Sequence, residues 1–358
     1  MACVRESIFY FLNSNKTSND SDAFLENGSL LLEELITFSN GRYDNPIRRF
    51  SMEELSEATN GFNSNQIVTG NPLSKIYEGS LEERLVLIKK YDKIKSRWES
   101  SKVKFHSIRD LAILALMRSH KNALKLLGCC LDFEFPALVC EHPGSTKVLS
   151  DQLYRRGMAC KGSLTWKSRV KIANEIANGL IYMHTMFPTP IIHRVISPRS
   201  VILDQFGNAK LLEFSNSISL PPGETQMSLD HVIGIFGRID PEYSTGGILT
   251  EKADVYGFGM FILDLLTGKR PSEIECGDNQ LLGACVKEYL EEEKLNEILD
   301  QRIVEEGGGI GQQVQALTRL ALRCIQYKKE DRPEMIDVGR ELRRIQRSAL
   351  DQPYSDKG

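Results

Sequence analysis

Apolar residues at Leu30, Leu31, Leu32, Leu35, Ile36 and Phe38 fall on one broad helical stripe over residues 30–38, with Glu33 and Glu34 on the other side. Such a stripe either packs on its own domain, as apolar helix faces usually do, or stays open as a docking surface. Strand-type runs follow at 75–79 and 85–90, then an amphipathic segment at 105–117, then two more strand runs at 124–128 and 136–140. After residue 143 the period becomes helical, at 166–184, 253–266, 283–290 and 314–325, and a single long loop lies at about 215–241. A small β-rich lobe followed by a larger helical lobe is an α+β, bilobal arrangement. The expected boundaries are an N-terminal helical extension at 1–47, a first lobe at 48–143, a second at 144–350 and a tail at 351–358.

Composition narrows the setting. The chain has 358 residues, enough for two lobes with sizeable cores. Its 45 basic and 48 acidic residues give a formal net charge of -3, which disfavours nucleic acid and anionic membrane as partners. The eight cysteines lack Cys-x-x-Cys pairs and zinc-type histidine spacing, so reduced thiols of an intracellular protein are expected and no metal site. Residues 13–22 are polar and turn-prone and read as a flexible link or a helix lead-in. No run approaches the ~18 apolar residues of a membrane span. The apolar residues 8–12 are too few for a signal core, and Met1-Ala2-Cys3 lacks the glycine of a myristoylation signal. A cytoplasmic protein is expected.

The chemistry concentrates at His193-Arg194-Val195-Ile196-Ser197-Pro198-Arg199-Ser200. This has the frame of a protein-kinase catalytic loop, His-Arg-Asp-x-x-x-x-Asn, with Val195 in place of the Asp and Ser200 in place of the Asn. In a kinase the Asp accepts the substrate hydroxyl proton and the Asn holds a metal ion, and an isopropyl group does neither. Ser197 stands where a lysine would neutralise the transferring phosphate, and Glu213-Phe214-Ser215 stands for the metal motif Asp-Phe-Gly. Aligned on Ile76-Tyr77-Glu78-Gly79, the glycines of a phosphate-cradling loop become Thr69, Asn71 and Ser74, with Pro72 between them. That loop needs bare backbone N–H groups close to the phosphates, and proline has none. Lys89 occupies the position of the strand lysine that reaches the phosphates. Its glutamate partner is not evident; Asp110 is the nearest acid, shorter by one methylene and expected out of register. Lys89 is therefore a relic, a weak ATP contact or a solvated strand lysine. No catalytic residue remains among Val195, Ser197, Ser200 and Glu213.

The surrounding motifs are ordered as in plant receptor-like kinases, which the chain resembles over about residues 50–348. Phe50-Ser51-Met52-Glu53-Glu54-Leu55 with Ala58-Thr59-Asn60-Gly61-Phe62 looks like their lead-in. Asp240-Pro241-Glu242 ends the activation segment, Asp254-Val255-Tyr256-Gly257-Phe258-Gly259 opens a central helix, and Asp331-Arg332-Pro333 closes the series. The resemblance implies a buried Glu242–Arg332 ion pair and an Asp254 that braces the catalytic loop.

Residues 27–36, with Ser39-Asn40-Gly41-Arg42-Tyr43 and Asn45-Pro46-Ile47-Arg48 ahead of a degenerate kinase domain, resemble the ZRK pseudokinases of plants. That likeness implies an adaptor in plant innate immunity, a receptor-like cytoplasmic pseudokinase without a cofactor. Its partners would be the leucine-rich repeats of a ZAR-type coiled-coil NLR, a receptor-like cytoplasmic decoy kinase and a bacterial effector, joined in a resistosome recruited to the plasma membrane. Two surfaces become partner-binding candidates: the stripe Leu31, Leu35 and Ile36, and the activation segment with Thr225, Ser228, Ile235 and Phe236. Arg194 would bind a phosphate added to that segment or make an internal hydrogen bond. The alternatives are a weak Mn-dependent Ser/Thr kinase and an ATP-sensing scaffold.

Overall fold

A computed structural model describes residues 22–41, 47–92, 97–154, 164–270, 273, 282–307 and 309–348. The expected link at 13–22 (apart from Asp22), the apolar residues 8–12, the motif residues 42–46, Cys3, Cys160, Cys276 and the tail 351–358 lie outside the described residues. The chain forms two compact units, Met1–Thr146 with Phe187–Thr189 and Leu211–Ser219, and the remainder.

In the first unit a helix, α1 (Asp22–Ser39), precedes strand β1 (Arg48–Arg49) and helix α2 (Met52–Ala58). Strands β2 (Ile67–Gly70), β3 (Ser74–Leu81) and β4 (Arg84–Tyr91) follow, then helix α3 (Arg97–Leu116) and strands β5 (Leu126–Cys130) and β6 (Ala137–Glu141). They make a six-stranded sheet in the order β1-β5-β6-β4-β3-β2, antiparallel except for the β1–β5 edge pair. Gly128 is required at that edge, because a Cβ there would lie 2.2 Å from the Arg48 carbonyl oxygen and 2.6 Å from the Phe50 ring.

The stripe on α1 is core. Phe24, Leu31, Leu35 and Phe38, at intervals of seven, four and three, are all buried, so the helix turns its apolar face inward against α3. Asn27 ties the helix to the sheet by donating its amide to the carbonyls of Leu131 and Phe133 at 2.9 Å each. Of the three stripe residues considered for docking, Leu31 and Leu35 are 3% and 1% exposed and only Ile36, at 40%, reaches the surface. A docking surface built on all three is thus ruled out for the chain as folded.

Helix α2 begins with a reciprocal cap: the Glu54 N–H donates to the Ser51 hydroxyl at 3.1 Å, and the Ser51 N–H donates to the Glu54 carboxylate at 2.6 Å. It ends in Asn60, Gly61 and Phe62, all with positive φ (53°, 73° and 57°).

The second unit is helical, with α4 (Leu149–Leu153), α5 (Trp166–Thr185), α6 (Pro241–Gly246), α7 (Lys252–Thr267), α8 (Leu282–Glu291), α9 (Gln301–Glu306), α10 (Gly311–Cys324) and α11 (Met335–Ser348). Helix α7 is buried almost all round and packs on α10, while α11 lies on α5, where Asn174 donates to the Leu342 carbonyl. Arg169 on α5 is fully buried and pairs with Asp300 at 2.7 Å, joining α5 to the N-terminus of α9.

One ion pair differs from expectation. Arg332 binds Asp240 by two bonds, at 2.7 and 2.8 Å, and donates its remaining hydrogens to the carbonyls of Lys252, Gln326 and Tyr327. Glu242 instead accepts the Lys329 N–H at 2.7 Å. The guanidinium's fixed fork is filled by Asp240, the cap residue of α6, which leaves Glu242 in the first turn to satisfy an orphan backbone donor.

Candidate functional site

Strand β4 lies inside the sheet between β3 and β6, with Lys89 opposite Ile76 and Leu138. Lys89 and Tyr91, two residues apart, share the face of β4 that looks toward Asp110 of α3. The Lys89 ammonium, 4% exposed, donates to Asp110 at 2.7 Å and to Glu213 at 2.8 Å. Asp110 also accepts from the Tyr91 hydroxyl at 2.8 Å and from the Phe214 N–H at 2.7 Å. The aspartate is therefore in register despite its shorter stem, and the lysine is not a solvated strand residue. It is the middle of a buried network.

Burial works against the Lys89 charge, but the two carboxylates outweigh it and hold the ammonium above its ordinary pKa. Burial also raises Asp110 above the usual carboxylate range. Glu213 sits below that range, because the pull of Lys89 and the bonds from Ser215 overcome its desolvation. The Lys89 charge is thus met within the protein by the two acids.

The loop ahead of β3 closes on the same cluster. Asn71 accepts the N–H groups of Leu73 and Ser74 on its side-chain oxygen, at 2.8 Å each, and donates its amide to Glu213 at 3.1 Å. The donors that such a loop would aim at phosphate are thus consumed within the turn. Sequence reasoning found Thr69, Asn71 and Ser74 as missing glycines, yet it missed this bond. Its signal was available in part, since Asn two residues before a backbone N–H is the pattern of an Asx-turn.

The catalytic-loop residues lie in the second unit. Asp254 accepts the N–H groups of His193 and Arg194 at 2.8 Å each, and the ring of His184 at 2.8 Å, so the expected bracing role is met. Burial opposes its charge, but His184 and the backbone donors keep Asp254 below the usual carboxylate range. Arg194 has φ 70° and donates to the Tyr243 hydroxyl at 2.8 Å, which makes an internal hydrogen bond one of its roles. Tyr243 in turn accepts the Ile233 N–H at 3.1 Å and donates to the His231 carbonyl at 3.4 Å. The tyrosine was another residue the sequence did not single out.

Val195 is half-buried and offers no acceptor. The Ser200 hydroxyl turns inward, donating to the Ser197 carbonyl at 2.8 Å and accepting the Ser197 N–H at 3.2 Å. The Ser200 side chain and the Ser197 backbone are spent on the turn. Among the described residues, no group of three or more His, Cys, Asp or Glu side chains could hold a metal ion.

The activation segment is held at several points. The strand Met227–Ser228 pairs antiparallel with Ile248–Leu249, and the Leu229 N–H donates to the Gly247 carbonyl at 2.9 Å. Arg238 donates to Asp264 at 2.5 Å and to the Tyr154 hydroxyl at 3.4 Å. Between these ties Ile235 is 39% and Phe236 98% exposed, and Thr225 and Ser228 are exposed as well.

A family model described as protein tyrosine and serine/threonine kinase matches residues 64–342. Serine/threonine-protein kinase ZRK1 of Arabidopsis thaliana is 40% identical over 349 residues, covering 95% of this chain and 97% of its own. The non-functional pseudokinases ZED1 and ZRK2 of the same plant are 39% and 37% identical, over 90% of this chain in each case and 96% and 89% of their own. With a β-sheet unit, a helical unit and these relatives along nearly its whole length, the chain belongs to the ZRK family of the protein kinase fold.

Proposed function

We propose that this chain is a pseudokinase that serves as an adaptor in plant immunity, bridging a coiled-coil NLR receptor to a bacterial effector or to an effector-modified decoy kinase. The observation that carries the first half is the catalytic loop, where Val195 offers no acceptor and the Ser200 hydroxyl is turned back onto the Ser197 backbone, while the Lys89 ammonium keeps its two carboxylate partners. Phosphoryl transfer needs that lysine on the phosphates and an acceptor at position 195. Losing a general base alone lowers a rate by about 10² to 10⁴, and the missing metal amide and lysine add to that. On this reading Lys89 keeps its scaffold bonds and gives ATP at most a weak contact.

For the second half, the family membership and the exposed Ile235 and Phe236 on an otherwise tied segment support partner binding there. Thr225 and Ser228 are accessible hydroxyls for an effector's modification. The protein would act in the cytoplasm and reach the plasma membrane only as part of an activated complex. No helix among the described residues is long and apolar enough to cross a membrane, which is compatible with that site of action.

The name of ZRK1 favours a second reading, a weak Ser/Thr kinase using Lys89 and Glu213 with manganese. Radiolabelled phosphate transfer with Mg²⁺ and with Mn²⁺ decides between them. We expect no transfer with either ion, and transfer abolished by Lys89→Met would establish the kinase. Co-purification with an NLR, with and without a decoy kinase, tests the adaptor; a Phe236→Ala chain that recruits the decoy as well as the wild type would remove the activation segment from the interface.

A further inference from the structure

Between α2 and the sheet of the first unit lies an open cleft of about 540 Å³, lined by Met52, Glu53, Glu57, Phe62, Lys90 and Phe133 among others. Its floor is aromatic. Phe62 and Phe133 meet edge to face, with centroids 5.9 Å apart and planes at 76°, so their rings form a right-angled corner. The Lys90 ammonium closes that corner from one side, 4.9 Å from the Phe62 centroid and 5.6 Å from that of Phe133. Both rings are half-buried, so part of each remains open to the cleft.

The corner is built at a cost. Phe62 reaches it through a left-handed backbone, and Asn60 before it is left-handed too; each such non-glycine residue costs about 1–2 kcal/mol. The Phe62 N–H is held by the Thr59 hydroxyl at 3.1 Å, and the Gly61 N–H by the Ser56 carbonyl at 2.7 Å. The ring then lies edge-on to Tyr77 at 5.3 Å. Strain of this kind persists where the surrounding structure over-determines it, and such places are often ligand clamps.

The rim has a sign. Glu53 and Glu57, one turn apart on α2 and both exposed, make no ion pair among the described residues. Lys90 makes none there either; its only described polar contacts are the two rings.

We propose that this cleft is a docking site for a linear segment of a partner protein in which an aromatic side chain is flanked by basic residues. The aromatic ring packs on the parts of Phe62 and Phe133 left open to the cleft and on Met52, where offset or edge-on ring pairs are favoured. The flanking cations meet Glu53 and Glu57, which sets the direction of the segment and rejects acidic ones. This site is independent of the activation segment and of the adaptor reading, and it stands if that reading fails.

The test uses the full chain and fluorescence anisotropy with three fluorescein-labelled peptides: one repeating Arg-Phe-Arg between glycines, one with glutamate for arginine, and one with alanine for phenylalanine. Saturable binding of the first only, weakened by about tenfold or more in the Glu53→Lys, Glu57→Lys double variant, is the expected result. Both glutamates are exposed, so an unchanged melting temperature shows that the variant is folded. A second variant, Phe133→Ala, should weaken the same peptide through the floor. Equal binding of the acidic peptide, no saturable binding, or indifference to the charge reversal in the folded variant each overturns the proposal.

Discussion

Asp264 shows how a single residue can carry a measurable signature of this fold. It is fully buried on α7, and burial pushes its carboxyl up to about 6 against the pull of Arg238. An acid raised above its unfolded value of 3.8 binds its proton more readily in the folded chain. Its contribution to stability therefore grows as pH falls from about 6 toward 3.8 and is lost as pH rises through that window. The shift of roughly two units corresponds to ~3 kcal/mol. Carboxyl carbon NMR should place the Asp264 midpoint near 6, and Asp264→Asn should remove this part of the pH dependence of unfolding; a midpoint near 4 would show that the ion pair, not burial, governs the site. Other residue-level roles were plain in sequence. Val195 lacks an acceptor in any fold, whereas the Asp110–Lys89 bond depends on the register of α3 and the Asp240–Arg332 pair on which of two neighbouring acids, Asp240 or Glu242, meets the guanidinium.

At the scale of elements, α1 separates what sequence period can and cannot say. The spacing over 30–38 identified a helix, and the structure extends it back to Asp22. Period alone left open whether the stripe is core or interface, because that choice depends on α3 arriving from eighty residues away. Leu35→Glu should cost several kcal/mol by putting an unpaired charge in the core and lower the unfolding midpoint sharply. Ile36→Glu, on the surface, should change it little. A tolerated Leu35→Glu in urea denaturation would show that α1 does not pack as described. The catalytic loop was legible in the opposite way: its sequence frame located it, while the inward turn of Ser200 required the coordinates.

At the scale of the molecule, the scaffold bonds and the phosphate-handling groups have gone separate ways. Asp254 still holds the loop backbone by two N–H groups, and Arg332 still gathers Asp240, Lys252, Gln326 and Tyr327, and neither belongs to the phosphate-handling groups. On the proposed pseudokinase reading, phosphate transfer should therefore take more than one substitution to appear. Val195→Asp, alone or with Ser200→Asn, should yield no phosphate transfer and no ATP-dependent rise in melting temperature. Adding Asn71→Gly should give the first detectable nucleotide shift, since it frees the Leu73 and Ser74 donors and the Glu213 carboxylate together. Transfer by Val195→Asp alone would show that the lysine cluster is no obstacle.

The Asn71 amide bound to Glu213 has a kinetic meaning as well. A group tethered by a three-residue turn competes for its site at an effective concentration in the millimolar range or above, and unlike a diffusible inhibitor it cannot be diluted or washed away. The chain thus carries its own bond partner for Glu213 at constant dose.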